Sequence, residues 1–175
     1  MQIASIFEQN EKMSIQNKAS EIDLDGIDLK ILDLLQEDNQ ITNLELAERV
    51  GLSPPPCLRR VRRLRELGVI TRDVALVDPA KVGRSIIAFV FVELDRQRED
   101  VLANFERKMK AEPEVQQCYF ISGEADYLLI VICADMGSYN EFARRVLANE
   151  HNIKRFRTSF NLARVKYETK LPLTD

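Results

Sequence analysis

Apolar residues recur every three or four positions near the start of the chain, a spacing that predicts a first helix ending near residue 36 or 37. Its inward positions are Ile27, Ile31, Leu34 and Leu35. Asp25 precedes this helix and is a suitable cap for it. A second, shorter helix is predicted over residues 43–50, because Thr42 and Glu45 have the spacing of a capping box. The positions expected to be buried in it are Leu44, Ala47 and Val50.

A third helix is predicted between Ser53, a suitable N-terminal cap, and Gly68, a suitable C-terminal stop. Pro54, Pro55 and Pro56 cost little in its first turn, because the first four N–H groups of a helix have no partner within it. The expected buried stripe comprises Cys57, Val61 and Leu64. The opposite side carries Arg59 and Arg62, and the flanks carry Arg60, Arg63 and Arg65.

A short helix, a Gly-Leu-Ser turn and a basic helix form the pattern of a helix-turn-helix, whose second helix enters the major groove of DNA. The net charge of the whole chain is −3, so bulk charge does not indicate DNA binding. Residues 53–72, however, carry six arginines against one acid, whereas residues 25–52 carry seven acids against two bases. The arginines opposite the buried stripe are predicted to read base edges. The residues predicted to hold phosphates are Ser53, Arg60 and Arg63.

The pattern changes from helical to extended spacing after the third helix. Residues 69–77 are rich in β-branched residues, which predicts a short wing or first strand, and residues 81–84 are the expected hinge. Beyond the hinge the predicted order is strand 86–94, helix 99–111, strand 115–122, strand 127–134, a helix opened by a capping box at Ser138 and Glu141, and extended chain over 153–171. This order is the ferredoxin-like pattern, a sheet with helices on one face.

The other face of that sheet is expected to be apolar. Examples are Phe89 and Phe91, or Leu129 and Val131. An apolar face of this size is expected to be buried against a second copy of the chain.

Cysteine use and the apolar runs exclude several classes of protein. Cys57, Cys118 and Cys133 are far apart in apolar patterns, so neither a disulfide framework nor a metal site is predicted, and a reducing cytoplasm is the expected location. The longest uncharged apolar runs are eight residues, too short to span a membrane, and no signal peptide is expected. Met13 is an alternative start. No cofactor and no catalytic residue are expected, and His151 is the single histidine.

From Leu24 to Leu173 the chain resembles the leucine-responsive regulatory protein/AsnC (Lrp/AsnC) family of bacterial and archaeal transcription regulators. The matching motifs are Leu24 to Asp28, Leu52 to Leu64, Gly68 to Ile70, and Ser122 to Leu129. The resemblance implies an α+β chain with an N-terminal winged helix-turn-helix that binds double-stranded DNA. It also implies a ferredoxin-like βαββαβ effector and oligomerisation domain that forms homodimers, and further tetramers or octamers. The residues expected at the DNA are Asn43, Ser53, Pro54, Pro55, Pro56, Leu58, Arg59, Arg60, Arg62 and Arg63.

The resemblance further implies an amino-acid effector, often leucine or another aliphatic one, bound between dimers near a turn. In this chain that turn runs from Gly123 to Asp126. The effector-binding residues expected are Phe120, Gly123, Asp126, Met136 and Ser159. Gly123 and Asp126 equally suit a tight turn that binds nothing.

The expected boundaries are a flexible tail over 1–22, the winged helix-turn-helix over 23–78, the hinge over 79–84, and the amino-acid-sensing and dimerisation domain over 85–175. Two other functions fit this build: an architectural DNA-binding protein without an effector, and, less well, an enzyme resembling sirohaem decarboxylases. Such an enzyme needs acids and cations placed around a large pocket. A single histidine and a full arginine set on the third helix argue against it.

Overall fold

The computed structural model describes residues 22–173, which form two compact units. The first unit contains the described chain up to Ala75 together with the chain from Lys166 onwards, and the second is Leu76–Val165. Residues 166–173 therefore pack within the first unit, whereas the expected boundaries assign them to the second domain. The predicted N-terminal tail lies outside the described residues, apart from residue 22.

Three helices build the described part of the first unit: α1, Gly26–Glu37; α2, Asn43–Val50; and α3, Pro54–Glu66. Asp25 caps α1 as predicted and forms a capping box with Asp28. Thr42 caps α2 by accepting a hydrogen bond from the backbone N–H three residues on, and Gly51 ends it in the left-handed conformation, at φ 73°, that glycine adopts easily. Ser53 occupies the predicted cap position of α3, but its side chain makes no capping hydrogen bond.

The core of the first unit lies where these helices meet. Its fully buried side chains include Ile31, Ala47, Cys57 and Leu64. The predicted buried stripe of α3 is confirmed. The prediction for Leu44 is wrong: this residue is 61% exposed, and Leu46 is buried instead. Successive residues of a helix turn by about 100°, so two positions apart they face nearly opposite sides.

The chain after α3 does not form the strand predicted over residues 69–77. Residues 71–78 are exposed, including Val74, Leu76 and Val77. Their β-branched composition favours an extended backbone, but a strand also needs a neighbour for its N–H and C=O groups. No other segment within residues 22–173 supplies one. A short 3₁₀ helix, Pro79–Val82, follows.

Four antiparallel strands and two helices build the second unit. In chain order they are β1, Ile86–Leu94; α4, Glu99–Ala111; β2, Val115–Phe120; β3, Tyr127–Cys133; α5, Met136–Phe142; and β4, Ile153–Phe160. The strands lie in the order β2-β3-β1-β4. This is the predicted ferredoxin-like arrangement. A five-residue π-helical turn, Ala143–Leu147, extends α5.

The two faces of the sheet differ in burial. On the helix-covered face the core includes Val90, Val92, Leu129 and Val131, all fully buried. The prediction that Leu129 and Val131 lie on the open face is therefore wrong. The open face carries half-buried apolar side chains, namely Ile87, Phe89, Phe91, Leu128, Ile130 and Ile132.

Several element ends in this unit differ from the prediction, with β2 ending at Phe120 rather than residue 122 and β3 ending at Cys133 rather than residue 134. Asp135, not Ser138, caps α5, because its side chain accepts the hydrogen bond from the N–H of Ser138, and the helix begins at Met136. β4 ends at Phe160 rather than continuing as extended pairing chain towards residue 171. In the part of the chain that the structure describes, no helix combines the length and the apolar character needed to cross a membrane.

Candidate DNA interface and effector site

The side of α3 opposite its buried stripe carries two exposed arginines, Arg59 and Arg62. They lie opposite the stripe that packs α3 against the core, as predicted. Neither guanidinium has an ion pair or hydrogen bond within residues 22–173. Two cations on one exposed helix face, both without internal partners, are suited to phosphate oxygens and guanine edges.

Arg60 and Arg63 lie on the flank of α3 and bind the start of α1. Arg60 Nη1 donates to Asp28 Oδ1 at 2.8 Å and to Asp25 Oδ2 at 2.7 Å. Arg63 Nη1 donates to Asp28 Oδ2 at 3.1 Å, and its Nη2 donates to the carbonyl oxygen of Asp23 at 2.9 Å. These two arginines, predicted to hold phosphates, already have carboxylate partners.

Asp28 is the centre of this cluster and its side chain is only 2% exposed. It is the only charged residue among the buried positions described. The N–H of Asp28 and then the Arg60 guanidinium lower the pKa of Asp25 below its ordinary value. The carboxylates of Asp28 and Asp25, of which Asp28 has the larger effect, raise the pKa of Arg60. Asp25 and Arg60 are therefore both charged at neutral pH.

Asn43 connects the two helices of the helix-turn-helix. Its Nδ2 donates to the carbonyl oxygen of Pro54 at 2.9 Å, which fastens the start of α2 to the start of α3. Its Oδ1 is buried without a hydrogen-bond partner in the described structure. Leu58, four residues after Pro54, is 37% exposed on the surface of α3.

The β2–β3 turn holds two of the predicted effector residues. Gly123 is exposed with φ 139°, a conformation that other residues rarely adopt, and a Cβ added there would meet nothing within 4 Å. Asp126 is half-buried and bonded to the protein itself. Its Oδ2 accepts from the N–H of Leu94 at 2.7 Å, and its Oδ1 accepts from Gln97 Nε2 at 2.6 Å.

Phe120 lies beside this turn, whereas Met136 and Ser159 do not. Phe120 is 51% exposed, and its ring centroid is 5.1 Å from that of Tyr127 at the mouth of a cleft of about 460 Å³ between α4 and β2. Met136 follows the opposite end of β3, which at about 3.3 Å per residue is roughly 20 Å from the turn. Ser159 pairs with Phe89 in the middle of β1. One protomer thus brings together three of the five predicted effector residues.

Sequence comparison matches both units to known domains. Residues 87–171 match the Lrp/AsnC ligand binding domain, and residues 24–71 match a winged helix-turn-helix DNA-binding domain. The leucine-responsive regulatory protein of Rhizobium meliloti is 41% identical, with 83% of this chain and 93% of that protein covered. An HTH-type transcriptional regulator of Sinorhizobium fredii is 42% identical over 94% of this chain and 96% of that protein. The chain belongs to the Lrp/AsnC family.

Solved structures of this family agree with the fold. A transcriptional regulator from Neisseria meningitidis, crystallised as its L-Met complex, superposes with a TM-score of 0.80 at 39% identity, covering 86% of this chain and 97% of that one. The chain is thus an Lrp/AsnC transcription regulator with a DNA-binding helix-turn-helix and a ligand-binding domain. The predicted family, fold class and function are confirmed.

Sequence reasoning missed the partners of the predicted site residues in this Lrp/AsnC regulator. Asp25 and Asp28 were recognised as helix-start residues, but their ion pairs with α3 were not predicted. A signal was present, because two acids three apart on one helix match two arginines three apart on another. Gln97 and Leu94, which bind Asp126, gave no comparable signal, because Leu94 contributes only a backbone N–H and a single glutamine forms no spaced pattern.

Proposed function

We propose that this regulator reads double-stranded DNA with α3, and that Arg59 and Arg62 contact base edges in the major groove. The observation that carries this proposal is that both guanidiniums are exposed and lack partners within residues 22–173. Ser53, the prolines of the first turn and Leu58 lie along the same start of α3. They are proposed to approach the DNA backbone, since half or more of protein–DNA hydrogen bonds go to phosphate and sugar.

The test compares DNA from upstream of the protein's own gene with a random duplex of equal length. Arg59→Ala is expected to weaken binding to the upstream DNA by roughly 1–3 kcal/mol and to relax the sequence preference at one base position. Arg107→Ala on α4 removes the same charge from an exposed site and is the matched control. Unchanged affinity of Arg59→Ala for both duplexes would show that the reading face is assigned wrongly.

The second unit is proposed to sense an amino acid at the Gly123–Asp126 turn, in a site shared between copies of the chain. Support comes from the L-Met complex of the Neisseria relative and from the name of the leucine-responsive relatives. A carboxylate has about four lone-pair positions, so Asp126 retains room for a ligand ammonium beside its two present donors. Met136 and Ser159 are too far from the turn to join it within one protomer, so another copy is proposed to supply them.

The titration that tests the effector uses L-leucine and L-methionine as probes. DNA affinity and oligomer size are measured with and without each amino acid, and D-leucine is the control. A stereospecific change in either property supports the proposal, and its size is limited by the effector's preference for one state over the other. A protein that binds DNA identically in all these conditions would be an architectural DNA-binding protein.

The assembly is proposed to be a homodimer formed through the open face of the sheet, with tetramers or octamers built from it. The half-buried apolar residues of that face support the dimer.

A regulator of this kind acts where the DNA is, so the cytoplasm is the proposed location. No enzymatic activity is proposed. His151 is exposed, and the described residues contain no group of three or more His, Cys, Asp or Glu side chains arranged to hold a metal ion.

A further inference from the structure

We propose that Asp28 is a positioning residue for DNA reading, because its buried carboxylate holds Arg60 and Arg63 and thereby orients α3. These two arginines would then bind carboxylates of the protein itself and would not serve as phosphate contacts. The inference rests on the proposed reading of DNA by α3 and assigns a role to the cluster beneath it.

The buried carboxylate of Asp28 needs cationic, hydrogen-bonding partners. An ionised carboxylate removed from water is tolerated only when it is paired and hydrogen-bonded. Asp28 meets this demand through one oxygen bound to Arg60 at 2.8 Å and the other bound to Arg63 at 3.1 Å. If either arginine left for a phosphate, it would leave part of a buried charge unpaired. The arrangement therefore opposes release of these side chains towards DNA.

Two anchors three residues apart fix the rotation of α3 about its own axis. Arg60 joins α3 to Asp25 and Asp28, and Arg63 joins it to Asp28 and to the carbonyl of Asp23. A single ion pair would allow the helix to turn around the contact, but two contacts on the same flank do not. The exposed arginines lie one position before each anchor, so their direction towards the groove depends on these contacts.

The cluster also reduces the number of cations on α3 that are available to bind DNA. Two guanidiniums are matched by the carboxylates of Asp25 and Asp28. Arg65 is paired in turn with Asp73 at 3.1 Å. Arg59 and Arg62 are then the cations of α3 that remain to neutralise phosphates or bind bases. The salt dependence of DNA binding counts such phosphate contacts, at about 0.9 in the slope of log K against log salt for each one.

The experiment measures the affinity of the full chain for upstream DNA and for a random duplex over a series of KCl concentrations. Arg63→Gln is expected to lower the ratio of the two affinities at least about fivefold and to leave the salt slope unchanged. Arg63→Lys keeps the charge but loses the planar fork that bridges Asp28 and the Asp23 carbonyl. It is therefore expected to lower the ratio as well.

The opposite pattern would overturn the proposal. If Arg63 holds a phosphate, Arg63→Gln lowers the slope by about 0.9 with the ratio unchanged, and Arg63→Lys restores the slope. If the parent protein does not prefer upstream DNA to the random duplex, the proposed reading of DNA fails, and this inference fails with it. A parent that does prefer it, with the phosphate pattern in the two Arg63 variants, overturns the inference alone.

Asp28→Asn supplies an independent measurement, with circular dichroism to confirm that the variant is folded. It is expected to lower the affinity ratio and to steepen the slope by about 1, because a released arginine can now reach a phosphate. Asp33→Asn removes the same charge from α1 at a site bound to Lys170, away from this cluster, and is the control. An equal steepening in both variants would show a general charge effect and refute positioning by Asp28.

Discussion

At the scale of single residues, Asp126 already stabilises the fold, and the ammonium contact proposed for it would be a second role of the same carboxylate. Asp126 accepts hydrogen bonds from the end of β1 and from Gln97, so it fastens the turn to the rest of the second unit. Its own N–H donates to the carbonyl oxygen of Val92 at 2.9 Å. A turn held this firmly is already formed when a ligand arrives, which lowers the entropic cost of binding.

Asp126→Ala is expected to abolish the response to the effector and also to destabilise the second unit by about 1–3 kcal/mol, because the Leu94 N–H loses its acceptor. Calorimetry with L-leucine and L-methionine, together with denaturant unfolding, measures the two effects. Asp126→Asn keeps an acceptor oxygen and removes the charge, so it is expected to lose the response at a smaller cost in stability. Binding of the effector to Asp126→Ala as tight as to the parent would contradict the assigned ammonium contact.

The capping carboxylate of Asp25 makes stability depend on pH in the acid range. Its pKa is lowered from the ordinary value of 3.8 by the N–H of Asp28 and by the Arg60 guanidinium. A folded pKa below the unfolded one means that the stabilisation is fully present above pH 3.8 and is lost as pH falls through the lowered value. The melting temperature of Asp25→Asn is therefore expected to fall less steeply below that pH than the parent's. Parallel curves for the two proteins would show that ionisation of Asp25 contributes nothing to the pH dependence of stability.

At the scale of elements, local pattern predicted much of this fold. The bounds predicted for β1 and α4 match the structure, since alternation and helical spacing are properties of neighbouring residues. One failure occurred where a local pattern had two solutions, because Asp135 and Ser138 both suit the cap position of α5 and the structure uses Asp135. The pairing of Asp28 with Arg60 was missed for another reason, although the matching spacing of the acids and the arginines was visible in the sequence. These residues are 32 positions apart and meet only after two helices have packed.

The C-terminal segment is a further element that local pattern did not locate. Gln36 on α1 donates to the carbonyl of Leu171 at 3.2 Å and accepts from its N–H at 2.7 Å. Lys170 binds Asp33 at 3.1 Å and Glu37 at 2.6 Å. Leu173 packs against the core of the first unit. The segment therefore lies along α1, held by the amide of Gln36, by the two ion pairs of Lys170 and by the apolar contact of Leu173.

Gln36→Ala is expected to lower the stability of the first unit by about 1 kcal/mol, since it removes two partly exposed hydrogen bonds. Denaturant unfolding measures the change. Gln40→Ala, at an exposed position without a side-chain hydrogen bond in the described structure, is the control and is expected to be close to neutral. Limited proteolysis should cleave after Lys170 faster in Gln36→Ala than in the parent. Equal cleavage rates and equal stabilities would show that the segment is not held by this amide.

At the scale of the whole molecule, the open face of the sheet is an apolar surface that a single copy of the chain leaves only half-buried. Its apolar side chains belong to the two central strands, β1 and β3, where Phe89 pairs with Ile130. Charged residues stand at its margin, including Glu93, bound by Lys154 and Arg155. An apolar centre with a charged rim is the usual anatomy of a protein interface. Pairing of two such faces also places two recognition helices in one particle.

Ile130→Asp puts a charge at the centre of this face and is expected to convert a dimer or larger assembly into monomers at micromolar concentration, as measured by light scattering. DNA binding should weaken as well, because a dimer contacts two half-sites about one helical turn, roughly 34 Å, or a multiple apart, whereas a monomer contacts one. Ala103→Asp adds the same charge to the exposed side of α4 and is expected to change neither property. A monomeric parent protein would refute the interface, and so would an Ile130→Asp variant that keeps the parent's oligomer size.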